Sequence, residues 1–220
     1  DYTDNYGDYE DWFELYNTGN SSQDLSGFYL SDKPNNLTKY QIPNNIELVD
    51  NSYLRIFASG RNESTGANIH TNFKIHQTKG NEWIILTAPD GITIIDSVFV
   101  KPCLTNHSRG RLTDGDEDWG VFTTASPSNS NNNAFEKYAT QPIFSVQPGF
   151  YPTNISLEIT STEENSEIYY TTDGSYPNNG SILYTGPLTI SETSVIKAVA
   201  VSSNNEILNS FMEYGTFFIN

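Results

Sequence analysis

Short stretches in which apolar and polar residues alternate are the feature of this sequence that most restricts its fold. Residues 12–16 (WFELY) alternate, and so do residues 155–160 (ISLEIT), whose three apolar side chains fall on one face. Successive side chains of a strand point to opposite faces, so a period of two predicts half-buried β-strands. Helical periodicity is almost absent, and the best candidate, residues 134–139 (AFEKYA), is about one turn long.

Turn signals bound further strand-like segments. Residues 82–87 (EWIILT) are followed by Pro89-Asp90-Gly91 and then by residues 92–100 (ITIIDSVFV), a pattern that predicts a β-hairpin. Other strands are predicted at these segments: residues 52–58, 167–172, 182–190 and 194–202. In the last of them, apolar residues occupy one face: Ile196, Ala198 and Ala200. Lys197 marks the opposite face, which it shares with Val195 and Val199, as the solvent side.

A segment without large apolar residues, residues 126–133 (SPSNSNNN), interrupts the strand pattern and predicts a domain boundary. Strands of this length, with turns about every 8–12 residues, favour β-sandwiches. We therefore predict an all-β chain with a first domain at residues 1–128, a linker at residues 129–141 and a second domain at residues 142–220.

The charge balance excludes some classes of partner. The chain has 27 acidic and 11 basic residues, for a formal net charge of −16. Nucleic acid and anionic membrane surfaces are repelled by such a field, so neither is predicted as a partner. No apolar run approaches the roughly 18 residues of a membrane span, and no signal peptide is visible. The acidic opening, residues 1–11 (DYTDNYGDYED), leads us to expect a fragment of a longer chain.

Four stretches of the first half form a recognisable series of motifs: residues 11–32 (DWFELYNTGNSSQDLSGFYLSD), 38–43 (TKYQIP), 69–75 (IHTNFKI) and 110–119 (GRLTDGDEDW). Together they resemble the lamin-tail domain family in its bacterial form, over residues 8–128. The resemblance implies an immunoglobulin-like β-sandwich. Members of that family usually begin with a further strand before the acidic loop, and its absence here also fits a fragment.

The second half contains three more such stretches: residues 168–177 (IYYTTDGSYP), 183–190 (LYTGPLTI) and 195–201 (VIKAVAV). They resemble the small immunoglobulin-like module at the C-terminus of chitobiases and β-hexosaminidases, over residues 142–220. The two resemblances together imply two tandem immunoglobulin-like β-sandwich domains. Residues 215–220 (GTFFIN) are similar to the segment that leads into CotH-like kinase domains of bacterial surface and spore-coat proteins. That similarity would place any enzyme beyond Asn220.

Asp173 and Gly174 are the first candidates for chemistry, because a carboxylate beside hydroxyl residues could act as an acid or a base. Aspartate also accepts hydrogen bonds from the backbone two residues on, and glycine adopts a positive φ without steric cost. Pro177 then ends ladder pairing. We therefore interpret this stretch as a corner between two strands.

Two acidic clusters raise the question of calcium binding: Asp114, Asp116 and Asp118, and Asp1, Asp4, Asp8 and Asp11. An EF-hand loop needs glycine at its sixth position and glutamate at its twelfth. In the first cluster Trp119 and Ala125 occupy those positions, and in the second Gly7 falls one place late. Solvated turn acids are the preferred interpretation, and an irregular Ca²⁺ site is the alternative.

Other catalytic and metal-binding patterns are missing from the sequence. His70, His76 and His107 lack the spacing of metal ligands, and His70 fits a structural role within the lamin-tail stretch. The single cysteine, Cys103, follows a strand and fits a buried apolar position. The sequence therefore predicts no catalytic, cofactor-binding or metal-ligating residue, and no enzyme activity.

Exposed aromatic rings are the remaining binding candidates, because the faces of sugars pack on such rings. The candidates are Trp12, Tyr16, Tyr29, Trp83, Trp119, Tyr151, Tyr170, Tyr176 and Tyr184. Strand or family-core positions predict burial of four of them: Trp12, Trp83, Trp119 and Tyr170. Positions beside prolines predict exposure of Tyr151 and Tyr176.

These observations favour a non-catalytic accessory, adhesion or spacer region of a larger secreted or cell-surface bacterial protein. Its partners would be the adjacent domains of the same polypeptide, with a glycan or a cell-surface protein as further candidates, and no cofactor is expected. Two alternatives stay open. One is a carbohydrate- or calcium-dependent binding module, and the other is the regulatory front of a CotH-like kinase whose catalytic domain lies beyond Asn220.

Overall fold

Strands and turns make up the chain in the computed structural model, which describes residues 2–66 and 68–220 and contains no helix among them. The predicted all-β class is confirmed. Residues 134–139, the best candidate for a helical turn, do not form one, because Lys137–Tyr138 form a strand that pairs in parallel with Ile207–Leu208. A single helical turn forms very few internal hydrogen bonds, so pairing with another strand satisfies this backbone better. The chain divides into two units, residues 1–133 and residues 134–220.

Two four-stranded sheets form the framework of the first unit, and shorter pairs complete it. Its strands are β1 (Tyr2–Thr3), β2 (Tyr9–Glu10), β3 (Trp12–Tyr16), β4 (Gln23–Asp24), β5 (Tyr29–Ser31), β6 (Tyr40–Gln41), β7 (Glu47–Leu48), β8 (Tyr53–Phe57), β9 (Glu63–Thr65), β10 (Asn68–His70), β11 (Trp83–Thr87), β12 (Ile94–Phe99), β13 (Ser108–Arg111) and β14 (Trp119–Phe122). The larger sheets have the strand orders β3-β8-β10-β9 and β12-β11-β5-β6.

The core of the first unit lies between these two sheets. Phe13, Ile56 and Ile69 enter it from the sheet that contains β3, β8 and β10. Leu30 and Tyr40 enter it from the sheet that contains β5 and β6. Because each sheet buries one face against the other, the unit is a β-sandwich, as predicted.

The predicted hairpin joins β11 to β12. The two strands pair antiparallel, with Ile85 opposite Ser97. At the turn, Oδ1 of Asp90 accepts hydrogen bonds from the backbone N–H groups of Ile92 and Thr93, both at 2.9 Å. The carboxylate closes the turn in the way that the Pro-Asp-Gly pattern predicts.

A five-stranded sheet dominates the second unit, with the order β17-β25-β23-β20-β21. The strands of this unit are β15 (Lys137–Tyr138), β16 (Ile143–Phe144), β17 (Gly149–Tyr151), β18 (Ile155–Leu157), β19 (Ile159–Thr160), β20 (Ser166–Thr171), β21 (Ile182–Leu183), β22 (Leu188–Ile190), β23 (Ser194–Ser202), β24 (Ile207–Leu208) and β25 (Glu213–Ile219). One face of the sheet covers a core that includes Phe144, Leu157 and Ile190 from the shorter pairs. The predicted second immunoglobulin-like sandwich is therefore confirmed.

The alternation predicted for residues 194–202 is confirmed on the inner face of β23. Ile196, Ala198 and Ala200 are all fully buried. The prediction for the outer face is wrong at one position, because Val199 is also buried. Val199 lies opposite Tyr169 of β20, and a large ring beside a small side chain shields it from water.

Residues 155–160 alternate as predicted but form two strands rather than one. β18 pairs with β22, whereas β19 pairs with β16. Between them, the backbone N–H of Glu158 donates to the hydroxyl of Ser145 at 2.9 Å. The apolar side chains keep to one face across this break, since Leu157 and Ile159 are both buried.

Residues 129–141, which the sequence assigned to a linker, are divided between the two units. In the first unit, the backbone N–H of Asn131 donates to Oδ1 of Asp114 at 3.2 Å. In the second unit, the backbone N–H and the hydroxyl of Thr140 donate to Oε2 of Glu163 at 2.9 Å and 3.0 Å. Each part of this segment is thus bound within its own unit.

Two adjacent phenylalanines of β25 allow a test of the alternation. Phe217 is fully buried, whereas 38% of Phe218 is exposed. We expect Phe217→Ala to lower the free energy of unfolding of the second unit by about 3–5 kcal/mol, because a buried ring is lost and a cavity remains. Phe218→Ala is the matched control and should cost much less. Urea unfolding of the whole chain, followed by circular dichroism, measures both, and equal losses would contradict the assigned faces.

Candidate functional site

Asp173 lies at a corner between strands. Its Oδ1 accepts hydrogen bonds from the hydroxyl and the backbone N–H of Ser175, at 2.6 Å and 3.0 Å. The bond from the hydroxyl, and to a lesser extent the bond from the backbone N–H, holds the pKa of Asp173 below its usual value. The carboxylate is therefore ionised at neutral pH and serves as an acceptor. Gly174 has a φ of 80°, which glycine adopts without strain. Nζ of Lys197 donates to the Gly174 carbonyl at 2.5 Å and joins the corner to β23.

The acidic loop around Asp114 also uses its carboxylates as local acceptors. Oδ2 of Asp114 accepts from the hydroxyl of Tyr53 at 2.6 Å, and Oδ1 accepts from the backbone N–H of Asn131 at 3.2 Å. Burial, followed by the bond to Asp114, raises the pKa of Tyr53 to about 12. Oδ1 of Asp116 accepts from the backbone N–H of Asp118 at 3.3 Å. The loop's carboxylates therefore close turns and attach the loop to β8.

The N-terminal acids form an ion-pair cluster that the sequence pattern does not predict. The side chain of Asp4 is fully buried, and its Oδ2 lies 3.7 Å from Nε of Arg61. Arg61 also forms an ion pair with Asp8. Burial alone would raise the pKa of Asp4, but the backbone N–H groups of Asp8 and Tyr6, followed by Arg61 and His70, outweigh it and keep the pKa below its usual value. Asp4 is therefore a buried carboxylate that stays ionised.

Arg61 supplies the positive charge that Asp4 and Asp8 would otherwise obtain from a metal ion. Of the other acids, Asp1 lies outside the described residues. Asp11 is half-buried, and burial, with the neighbouring Glu10, raises its pKa. Among residues 2–66 and 68–220, no group of three or more His, Cys, Asp or Glu side chains is placed to hold a metal ion.

His70 is held at both ring nitrogens beside Asp4. Its Nδ1 lies 3.0 Å from the hydroxyl of Ser59, and its Nε2 lies 2.8 Å from Oδ1 of Asn5. The ring stacks on Phe57 at a centroid distance of 5.1 Å. Ser59, His70 and Asp4 are the residue types of a hydrolase triad, but Ser59 and Asp4 both approach Nδ1, whereas a triad binds its hydroxyl and carboxylate at opposite nitrogens. All three side chains are buried, so the geometry fits the predicted structural role of His70.

The remaining histidines and the cysteine occupy loops of the first unit. Cys103 is half-buried rather than fully buried, and its backbone N–H donates to Oε1 of Gln77 at 2.9 Å. Burial lowers the pKa of His107. His76 is exposed, and its backbone N–H donates to Oε2 of Glu82 at 3.2 Å.

Most of the nine aromatic candidates are half-buried, so the burial predicted for Trp12, Trp83 and Tyr170 is only partial. Half-buried candidates are Trp12, Tyr16, Tyr29, Trp83, Tyr170 and Tyr184. The predicted burial of Trp119 is wrong, because 38% of this side chain is exposed. Its indole ring lies 5.2 Å from the guanidinium carbon of Arg111, so the ring covers an arginine at the surface instead of entering the core.

The two tyrosines expected at the surface differ from each other. Tyr176 is exposed, as predicted. The predicted exposure of Tyr151 is wrong, because its ring packs against the core of the second unit and its hydroxyl donates to the carbonyl of Gln147. Tyr151 points inward from β17, which places its neighbour Phe150 on the opposite side of the strand.

Comparison with known families assigns both units. Residues 1–101 match the family model described as Lamin Tail Domain. The first unit contains a lamin tail domain. Residues 157–211 match the model described as Fn3 associated, so the second unit contains an Fn3-associated domain. The predicted order of a lamin-tail domain followed by an immunoglobulin-like module is confirmed, and both domains suggest a non-catalytic role. No curated protein matches the chain.

The folded unit around the lamin tail domain extends past the residues that match the family. The match ends at residue 101, whereas the unit continues to residue 133. The hairpin β13–β14 lies in this extension. Nη2 of Arg111 in β13 donates to Oδ2 of Asp96 in β12 at 2.7 Å, and Tyr53 binds Asp114 in the following loop. These contacts bind the extension to the lamin tail domain.

The Fn3-associated domain exposes aromatic residues that the sequence analysis did not single out. Phe150 of β17 pairs in register with Phe218 of β25, and the two rings stack at 4.5 Å with an interplanar angle of 12°. Tyr214 lies on the same side of β25 as Phe218, four positions earlier. Exposed fractions are 75% for Phe150 and 64% for Tyr214. The alternation in residues 213–219 (EYGTFFI) is the signal that identifies this surface.

We define the aromatic face as Phe150, Tyr169, Leu183, Tyr214 and Phe218. All five side chains lie on the outer side of the five-stranded sheet, as the pairing shows. Phe150 is opposite Phe218 and Tyr169 is opposite Leu183, whereas Phe217 and Ile196, at alternate positions of their strands, line the core on the inner side. No helix among the described residues is long and apolar enough to cross a membrane.

Asp4 provides a test of the buried ion-pair cluster. Because its folded pKa lies below the unfolded value, ionised Asp4 stabilises the lamin tail domain above about pH 4, and this stabilisation is lost as the pH falls through the folded pKa. Asp4→Asn should therefore lower the free energy of unfolding at pH 7 by about 1.5–3 kcal/mol, because the backbone N–H groups of Asp8 and Tyr6, and then Arg61, lose a charged acceptor. It should also make stability less dependent on pH below about 4.

Asp8→Asn is the matched control, because the Asp8 side chain is 60% exposed. Its loss should cost less than about 1 kcal/mol. Urea unfolding between about pH 2 and pH 7 measures both variants. An Asp4 variant with the stability and acid sensitivity of the natural chain would show that this ion pair does not stabilise the domain.

The acidic loops yield a second expectation, which concerns calcium. Since Asp114 already accepts from Tyr53 and Asn131, we expect the melting temperature to be the same in EDTA and in excess Ca²⁺. A ligand that binds only the folded state must raise the melting temperature. Differential scanning fluorimetry makes the comparison. A rise with Ca²⁺ that is lost in Asp114→Asn would establish the irregular calcium site instead.

Proposed function

We propose that this chain is a non-catalytic accessory region that positions or attaches a neighbouring domain of the same polypeptide. The observation that supports this proposal best is the engagement of its polar groups. Asp4, Asp114 and Asp173 bind backbone N–H groups or neighbouring side chains. His70 is enclosed between Ser59 and Asn5. Function depends on a site rather than a fold. These four side chains stabilise loops and turns, and no two of them form an accessible pair of acid and base.

The setting that best fits such a region is a secreted or cell-surface bacterial protein. Loops rich in Asn, Ser and Thr and a low lysine content are typical of surface proteins. The net charge of −16 favours solubility and opposes contact with nucleic acid and anionic membranes. The partners proposed are adjacent domains, and a glycan or surface protein beyond them. The role as a front to a CotH-like kinase stays a prediction from the resemblance of residues 215–220.

A second candidate function, carbohydrate binding, is favoured by the aromatic face. Contiguous exposed apolar side chains on a folded domain mark contact surfaces. The stacked and exposed rings of Phe150 and Phe218 are of that kind. The calcium-dependent form of this candidate has less support, because the carboxylates around Asp114 are engaged in the loop itself.

A reporter fusion tests the accessory role. A hydrolase of known activity is fused to the C-terminus of the chain, and the control carries a Gly/Ser linker of equal residue number. We expect the chain to increase retention of the reporter on bacterial envelopes or insoluble polymers, with kcat/KM on a soluble substrate unchanged. A linker that gives equal retention and equal rates on surface-bound substrate would contradict the proposal, and so would substrate turnover by the chain alone.

A further inference from the structure

We infer that the aromatic face of the Fn3-associated domain binds a neutral polysaccharide of β-linked pyranose units. This inference rests on the proposed function, because it names the ligand through which the accessory region would attach. The site differs from the turn position of Tyr176 that the sequence favoured. It lies on the outer side of the five-stranded sheet, where strand pairing fixes the positions of the rings.

The stacked pair supplies a flat apolar surface at one edge of the sheet. Because one face of the Phe150 ring lies against Phe218, its other face is open to solvent, and this accounts for the 75% exposure. Pyranose rings with equatorial hydroxyls present C–H groups on their faces, and these groups match the electron-rich face of an aromatic ring. β17 is the edge strand of its sheet, so a polymer can approach this ring without displacing another strand.

The rings are spaced for a chain of sugars rather than for one sugar. Tyr214 and Phe218 are four residues apart on β25 and on the same side of it, which separates their Cα atoms by about 13 Å. Thr216 lies between them on that side. Its hydroxyl and that of Tyr214 can each donate and accept hydrogen bonds, as sugar hydroxyls do. Aromatic surfaces with a few placed polar groups are typical of ligand sites.

Charge favours a neutral ligand over other partners. Two charged side chains on the outer side of the sheet are already engaged: Nζ of Lys197 donates to Gly174, and Oε2 of Glu167 accepts from Tyr169 at 2.7 Å. Residues 134–220 contain nine acidic and two basic residues. Such a domain repels a second copy of itself and anionic polymers. A neutral polysaccharide meets no such repulsion and needs no opposite charge on the face.

Depletion by insoluble polysaccharide tests the inference on the whole chain. The probes are microcrystalline cellulose and chitin, which are neutral and β-linked, and the anionic comparison is cross-linked pectate. We expect binding to at least one neutral probe and none to pectate. Binding should be unchanged between about 50 and 500 mM NaCl, because no ion pair is involved. Phe150→Ala and Tyr214→Ala should each weaken binding by about tenfold or more.

Ile143→Ala is the matched control, because Ile143 is exposed in the same domain but lies in β16, outside the five-stranded sheet. It should bind as the natural chain does. Thermal unfolding of each variant shows whether the fold is kept, and Phe150→Tyr should restore binding if a ring is what matters.

Three outcomes would overturn the inference. The first is no binding to either neutral probe, and the second is binding that persists in both alanine variants. The third is self-association that Phe150→Ala abolishes, which would make the face a contact between copies. If neutral probes fail but the reporter fusion is still retained on envelopes, the polysaccharide inference fails while the accessory function stands.

Discussion

Alternation of buried and exposed positions along paired strands is the constraint on which both units depend. In β23, every second side chain enters the core because pairing with β20 and β25 fixes its register. A slip of one residue would exchange the two faces. Close packing restricts the register further. Gly215 lies opposite Ile196, and a Cβ at this position would lie 2.4 Å from Cγ of Pro148. Only glycine allows the loop before β17 to approach β25 so closely.

The acidic composition follows from turn chemistry at many points. Asp24, Asp90 and Asp173 each accept a hydrogen bond from the backbone N–H two residues on, at 2.9 Å, 2.9 Å and 3.0 Å. In all three, the pKa of the carboxyl is lowered most by a hydrogen bond from a neighbouring hydroxyl, and next by hydrogen bonds from backbone N–H groups. A chain built from many short strands needs many turns, and aspartate closes them well. These carboxylates therefore have a structural role, and an abundance of aspartate is a weak sign of a metal site in such a fold.

Features that depend on residues close together in the sequence could be predicted, whereas contacts between residues far apart in the sequence could not. The hairpin β11–β12 and the inner face of β23 follow from turn residues and alternation within a few positions. The contact of Asp4 with Arg61 and His70 does not, because it joins the N-terminal loop to residues far along the chain, and no local pattern marks such a pairing. Trp119 and Val199 show a second difficulty: residue type indicates hydrophobicity, but which neighbour covers a side chain depends on the fold.

The two units differ in whether a charged residue adjoins the exposed apolar residues of their edge strands. In the lamin tail domain, β12 is an edge strand with exposed Ile94 and Ile95. The next residue, Asp96, is a charged residue held by Arg111, and a charge in an edge strand disfavours pairing with another chain. The outer side of the sheet in the Fn3-associated domain has no such interruption between Phe150 and Phe218, which adjoin and stack. A protected edge in one unit and an exposed stacked pair of rings in the other are the physical reason for proposing the ligand site in the second unit.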